Sequence, residues 1–582
     1  MGVVVRNKKP EKRQAGYVLL ACLLLAAALL GGWMVRNSGN VRPQDLITAN
    51  FILSPNFSHA TGFYEHPVEV KLFNPNPDSK IYYTLDGSEP DITSTSYTGP
   101  IRISSTTAKQ PGLSLIPTSP VWQPPLQEVY HGVVLKAVAV RKGYKSRVSA
   151  ATYFIDAQGR ARYSLPVMVL TVDPDDFFSP ERGIYVRGRT YEDKDYYIKT
   201  KKQVEQGKWW YYPANYTRRG MDWERPVIIS YLEAGENAGL NTRAGVRIHG
   251  NATRGYSQKS LRVHFRRKYG PAELDYDFFN REDTLPMRSL LLRNSGQDLT
   301  STMFRDALTQ RMFKGAALDQ QAYQPVVLFV NGEYWGIHNI RERLDADYLS
   351  LKYRLPEDSI AIIRTIGLLQ YGQPGDERSF LAMKLFAATH DLSVDSNYQQ
   401  VARRMDLDNF IDYLIAEIYV VNQDWPYNNM EMWRYTGKPI AGNKFTDGRW
   451  RWMLFDTDPG LGRNYPVSAQ SIQYVLNTIE LGPLFGALLN NPDFKANFIA
   501  RFRQQLQTNL QPDSVIMLID QMQAVIAPEI KEHIRRWRAI PSYEAWQKNV
   551  AGMRDFARRR PAIMLQQLKA LEADTNRAAI VN

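Results

Sequence analysis

The hydrophobic pattern of this 582-residue chain changes period along its length, and that change limits the fold more than any single motif. To about residue 345, apolar residues alternate in short runs. Val68-Glu-Val-Lys-Leu72, Ile81-Tyr-Tyr-Thr-Leu85 before the turn pair Asp86-Gly87, and Val133–Val140 around Lys136 are examples. A period of two, broken by turn residues, predicts short strands. Beyond that point Phe410, Ile411, Leu414, Ile415, Ile418 and Val421 recur at helical spacing over Asp406–Val421. Residues 487–510, 513–537 and 544–571 read as further amphipathic helices. Strands first and helices later predict an α+β chain. The length calls for a small domain beside a large one. The boundaries read as a small β-sandwich over 51–155, a linker over 156–164, a large body with a helical C-terminal part over 165–575, and a tail over 576–582. Residues 104–127, rich in Ser, Thr and Pro, read as a long loop inside the sandwich.

The N-terminus carries a second strong signal. Gln14–Val35 holds no charge and Tyr17–Leu30 is almost wholly apolar, which is long enough for a membrane-spanning helix. Arg6, Lys8, Lys9, Lys12 and Arg13 precede it, while Arg36 and Arg42 follow. That asymmetry predicts a cytoplasmic tail over 1–15, a single-pass helix over 16–35, a linker over 36–50 and a body outside the cytoplasm, periplasmic or on the cell surface. The apolar run continues past the small residues Ala26-Ala27-Ala28 to Trp33-Met34, so it reads as a retained anchor rather than a cleaved signal.

Composition removes several classes of chemistry. Cys22 is the only cysteine and lies in the apolar run, so the body has neither disulfide nor thiolate. Net charge is +13, of which residues 1–42 supply +6, leaving a mildly basic body. No basic block with interleaved aromatics stands out, so nucleic acid is not the expected partner. The eight histidines are scattered without metal-ligand spacing, and no Gly-x-Ser-x-Gly elbow or Walker-type loop occurs.

What remains is a set of carboxylates and amides in a telling order. Asp424 follows the Asp406–Val421 helix in Asn422-Gln-Asp424-Trp-Pro-Tyr-Asn428-Asn429. Met430–Tyr435 reads as a strand, Asp447-Gly448 as a hairpin turn, and Trp450–Phe455 as a second strand that delivers Asp456-Thr-Asp458-Pro-Gly460. Helix, Asp and Asn on one loop, strand pair, then Asp is the order at the catalytic end of protein kinases. There one loop presents a base to the acceptor and an amide oxygen to the metal. Upstream, Gly245–Phe265 reads as strand, glycine loop, strand. Backbone amides of such a loop approach phosphate, with Lys259 and Arg254 as candidate neutralising cations.

Together with Phe329-Val-Asn331-Gly332-Glu-Tyr-Trp-Gly336 and Arg341-Glu342-Arg-Leu-Asp345, these segments resemble the CotH family of atypical secreted kinases across about residues 165–575. The resemblance implies a protein-kinase-like fold, ATP with Mg²⁺ or Mn²⁺, and phosphoryl transfer to a protein hydroxyl. It implies Asp424 as the catalytic carboxylate and Asn429 and Asp456 as metal ligands, with Asp458 a second candidate. It also implies Lys259 as the phosphate-binding lysine and Glu342 as its ion-pair partner. The family often has two adjacent lysines where this chain has Gln258-Lys259. Tyr82–Pro90, Tyr97-Thr-Gly-Pro100 and Leu135–Ala139 resemble the small β-sandwich at the C-terminal end of chitobiases and hexosaminidases, which implies an accessory or spacer domain. The expected whole is a membrane-anchored, extracytoplasmic kinase acting on a protein. The alternatives are a non-catalytic envelope scaffold of the same fold and phosphoryl transfer to an envelope glycan.

Overall fold

The computed structural model describes residues 52–107, 112–192, 208–281 and 285–574. Its N-terminal part contains a six-stranded sheet. Strands β1 (Gly62–Tyr64), β2 (Lys80–Thr84), β3 (Val133–Arg141) and β4 (Ser149–Ile155) lie in it in the order β1-β4-β3-β2. Strand β4 runs antiparallel to β3 and parallel to β1. Val70, Ile101 and Ile103, from a separate two-stranded sheet, pack with Leu135, Ala137 and Tyr153 of the large one.

Seven further strands close into a barrel. They are β5 (Val167–Thr171), β6 (Arg225–Leu232), β7 (Ala238–Ile248), β8 (Leu261–His264), β9 (Ser289–Arg293), β10 (Tyr323–Val330) and β11 (Glu333–Arg341). The order is β5-β6-β7-β8-β9-β11-β10, and β10 returns parallel to β5 with Val167 opposite Val327. Alternate residues explain why β5 and β10 read as nearly unbroken apolar runs. Met168, Leu170, Val326, Leu328 and Val330 join one core, while Val167, Val169, Val327 and Phe329 join another. Both faces of these strands are buried, so both sets of side chains are apolar.

A four-stranded sheet follows: β12 (Ile360–Arg364), β13 (Leu368–Tyr371), β14 (Glu431–Tyr435) and β15 (Arg451–Met453), in the order β13-β12-β14-β15. Helices α1 (Arg305–Met312), α2 (Leu407–Val420), α3 (Pro492–Gln507), α4 (Pro512–Trp537) and α5 (Tyr543–Ala573) pack around these sheets. The stripe expected over 406–421 is α2, with the Asp406 carboxylate accepting from Asn409 N–H at its start and Val421 left-handed at its end. Arg560 of α5 is wholly buried and donates to the main-chain carbonyls of Ile418, Tyr419, Val467 and Ala469. It thereby supplies donors to the carbonyls of the last turn of α2, where intrahelical donors run out. Arg560→Met is expected to cost about 3 kcal/mol or more, because hydrogen bonds to a charged group are lost and their acceptors stay buried. The midpoint of urea unfolding measures this.

Two expectations need correction. The single-pass anchor and the membrane localisation built on it are not supported. Among the described residues no helix is long and apolar enough to cross a membrane, because the long helices carry one-sided apolar stripes. The 16–35 segment itself lies outside the described residues. The small domain is also no detached spacer. Phe154 stacks on Phe63 at 4.5 Å and meets Phe329 of the barrel at 4.5 Å, all in one core with Tyr163 of the expected linker. Lys136, buried in β3, donates to Val172 O beyond β5. Gly332 has φ +76°, and an added Cβ would lie 2.5 Å from Gly132 O, so glycine is required where the small domain meets the β10–β11 turn.

Candidate active site

Helix α2 ends at the edge of the acidic loop and sets the position of Asp424. Trp425 beside it is buried, its ring 5.7 Å from Tyr413 of α2, which pins the loop to the helix. Asn428 Nδ2 donates to Asp424 Oδ1 at 2.9 Å, and Asn429 Nδ2 to Asp424 Oδ2 at 3.1 Å. The two amides, four and five residues on, therefore fix both oxygens of one carboxylate.

The β14–β15 pair delivers Asp456, which is left-handed at φ 58°. Its side chain keeps about a third of its surface open, at 34%, whereas Asp458 is buried. Arg293, at the end of β9, bridges them: its Nη2 contacts Asp456 Oδ1 and lies 3.0 Å from Asp458 Oδ1. Asp458 Oδ2 also accepts the main-chain N–H groups of Gln297 and Asp298. Burial pushes both carboxyls up. For Asp456 burial is the largest single influence, but the charge of Arg293 and the hydrogen bonds of Asp458 and Arg293 together outweigh it, and the net shift is downward. Asp458 stays well above the ordinary range, since the charge of Asp456 adds to burial. The pair shares its proton in the manner of coupled carboxylates.

Several contributors were not singled out in the sequence. Glu417 of α2 accepts Asn422 Nδ2 at 2.9 Å, and the same amide lies 3.5 Å from Asp456 O. Glu417 Oε1 and Asn422 Oδ1 are both buried without a hydrogen-bond partner among the described residues. Burial first, and the nearby charges of Asp306, Asp456 and Asp424, push the Glu417 carboxyl well up. Asp306 pairs with Arg341 at 2.8 Å and accepts from Thr457 N–H, fixing the residue between the two aspartates. Asp298 accepts from Thr302 and Arg305, and Arg305 in turn holds Gly460 O and Leu461 O.

In the glycine loop after β7, Tyr256 lies within electrostatic reach of Asp458 and Asp456, and His249 just before it within reach of Arg293. Lys259 is another matter. It is wholly buried, its Nζ donates to Arg254 O and Tyr256 O at 2.8 Å each, and it lies 3.8 Å above the Tyr216 ring. Burial, then the charge of Arg254, pulls its ammonium well below the usual range. Arg254 is likewise turned inward, donating to the carbonyls of Gly250, Tyr216, Arg218 and Ile248. The expected Lys259–Glu342 pair does not form. Glu342 instead contacts Arg281 at 2.8 Å and accepts Ala322 N–H. Asp424 and Asn429 are thus bonded to each other on the α2 loop, and Asp456 and Asp458 are held together by Arg293 at the β9 end, with the charges of Asp424 and Asp456 both reaching Glu417. Lys259, Arg254 and Glu342 are instead turned into contacts within the barrel and its loops.

Two family models match the chain. One, described as Fn3 associated, matches residues 70–153. The other, described as CotH kinase protein, matches residues 246–564. None of the curated proteins matches the sequence. The second match begins in β7 and runs into α5, taking in the glycine loop, Arg293, the Asp424 loop and the Asp456–Asp458 pair. It covers more than half of the chain, and on that ground the protein belongs to the CotH kinase family.

Proposed function

We propose that this kinase-like protein transfers the terminal phosphoryl group of ATP to a hydroxyl of a protein acceptor. The observation that carries the reading is the pairing of Asp424, with both oxygens oriented by Asn428 and Asn429, with an Asp456–Asp458 pair bridged by Arg293, the charges of Asp424 and Asp456 both bearing on Glu417 of α2. The acceptor oxygen attacks the terminal phosphorus, the bond to the bridging oxygen of ADP breaks, and Asp424 takes the hydroxyl proton.

The residues present fit a hard divalent cation. Among the described residues no three acidic or histidine side chains form a ready-made metal cage. Mg²⁺ needs none, since it is usually held by one or two carboxylates, water and substrate phosphates. Asp456 is open, and Glu417 Oε1 and Asn422 Oδ1 are buried oxygens without partners among the described residues. Asp456, Asp458 and Asn429 would hold the ion, which supplies charge neutralisation of the phosphates when bound.

We assign the phosphate-facing cation to Arg293 rather than Lys259. A wholly buried lysine whose ammonium is already held by two carbonyls is poorly placed to neutralise phosphate. Arg293→Met is therefore expected to raise KM for ATP and lower kcat together by roughly 10²-fold. Lys259→Met is expected to lower the melting temperature while leaving KM for ATP within about threefold in the folded fraction. Initial rates at varied ATP, with thermal melts of both variants, measure the contrast. The reading as a whole is tested with γ-labelled ATP and Mg²⁺ or Mn²⁺. Cation-dependent ATP binding by calorimetry and transfer of label to a protein acceptor are expected. A folded protein that binds no nucleotide at any concentration of either cation would overturn it.

A further inference from the structure

The glycine loop is held from outside the barrel by a segment of the small domain. Residues 112–127 leave that domain and cross onto the barrel. Leu113 N and Ser114 N donate to the Glu333 carboxylate at 2.9 and 2.7 Å. Glu333 is wholly buried, and those two amides are the donors its carboxylate has among the described residues. Leu113 packs in the barrel core beside Trp335 and Tyr185. Further on, Thr118 Oγ1 donates to Ser257 O at 2.8 Å and Ser119 Oγ lies 2.9 Å from Ser257 Oγ. Thr118 and Ser119 are both buried. The far end is fixed where Leu126 N donates to Arg535 O of α4. Pro117, Pro120, Pro124 and Pro125 stiffen the span between these points.

Ser257 is the last residue of the glycine loop before a polar chain leading to the acid pair. Gln258 O accepts Asn294 Nδ2 at 2.6 Å, and Asn294 Oδ1 accepts Gly296 N at 3.0 Å. Asn294 follows Arg293, and Gly296 precedes the amides that hold Asp458. On the loop's other side, a Cβ at Gly255 would lie 2.8 Å from the backbone of Trp210. The loop is thus clamped between the Trp210 segment and the small domain.

We infer that residues 112–127 are a strap, with Thr118 and Ser119 as positioning residues that hold the glycine loop in register with Arg293 and the acid pair. The small domain is on this account part of the nucleotide site. The functional half of the inference rests on the reading of that site as ATP-using. The structural half does not. A strap anchored on a buried carboxylate stays docked, because leaving would strand Glu333 without its donors. The two hydroxyls at Ser257 then decide how tightly the loop is held.

The test is the double variant Thr118→Val, Ser119→Ala in the full chain. Hydrogen exchange without nucleotide is expected to speed up about tenfold at the amides of 249–257, from the loss of two buried hydrogen bonds. Exchange in α5 should not change. KM for ATP is expected to rise about tenfold with kcat within about twofold. Thr118→Ser with Ser119→Thr, which keeps both hydroxyls, is expected to restore both values toward wild type. Unchanged exchange at 249–257 in the folded double variant overturns the strap. Faster exchange with an unchanged KM overturns its role in nucleotide binding. A wild-type protein that binds no ATP counts against the site reading instead, and the exchange measurement still decides the strap.

Discussion

Asp424→Ala is expected to lower kcat by about 10² to 10⁴-fold, the range over which a positioned general base contributes, while KM for ATP changes little. The carboxylate sits on the loop after α2, and the Asn428 and Asn429 amides orient it without competing for charge. Removing it takes away the proton acceptor and leaves Arg293, the glycine loop and the acid pair in place. Asp456→Ala should behave differently. Asp456 is the open member of the pair bridged by Arg293, so its loss removes cation binding and weakens ATP along with turnover. An interaction made only in the transition state lowers kcat and kcat/KM equally, whereas lost ground-state binding raises KM. Rate measurements over ATP and Mn²⁺ concentrations separate the two variants, with circular dichroism as the check on folding. Full turnover in Asp424→Ala would sink the assignment of the base. Identical KM shifts in the two variants would sink the division of labour.

What could be read from the sequence, and what could not, follows from distance along the chain. The Asp424 loop and the β14–β15 pair lie within about forty residues of each other, so spacing and turn residues carry their geometry. Asn428 and Asn429 bonding Asp424 is a local event of the same kind. Arg293 shows no comparable signal. It ends an ordinary apolar strand, Ser289-Leu-Leu-Leu-Arg293, and its partners lie 163 and 165 residues away. Glu417 is hidden differently, as one of three buried polar residues, with Asn409 and Asp412, in a mostly apolar helix.

Lys259 shows the opposite failure. A lysine after a glycine loop has the right composition for phosphate, yet its direction is set by the barrel. The loop closes over Lys259 and supplies carbonyls to its ammonium, so the side chain points inward. The small domain was legible as strands and not as a partner. Contacts such as Phe154 with Phe329, or Thr118 with Ser257, join residues more than a hundred apart. Alternation reports which faces are buried and says nothing of what buries them.

The same buried polar joints make the protein sensitive to acid. His338 Nδ1 lies 3.2 Å from the Gln258 amide nitrogen and its Nε2 faces Lys259 O, which fits a neutral ring that accepts at one end and donates at the other. His533 Nδ1 accepts Ile337 N–H, and His264 Nε2 lies 2.7 Å from Arg247. A protonated ring would aim an N–H at a donor in each place. Burial first, with neighbouring positive charge for His264 and His533, lowers His264 and His533 to about 3 and His338 to about 4. In the unfolded chain each titrates near its ordinary value of about 6.5. Their contribution is therefore fully present above about pH 6.5 and is lost as pH falls toward 4. The unfolded state gains protons that the folded state refuses. Each histidine adds a slope of about 1.4 kcal/mol per pH unit, so three give about 4 kcal/mol per unit between pH 6 and 4. Two such units approach the whole stability of an ordinary domain, about 5–15 kcal/mol. Urea unfolding at pH 7, 5.5 and 4.5 is expected to show this steep loss, with a smaller slope in His533→Gln, whose amide oxygen can accept the same N–H. A stability that stays flat from pH 7 to 5 would mean that these rings protonate without leaving the folded state.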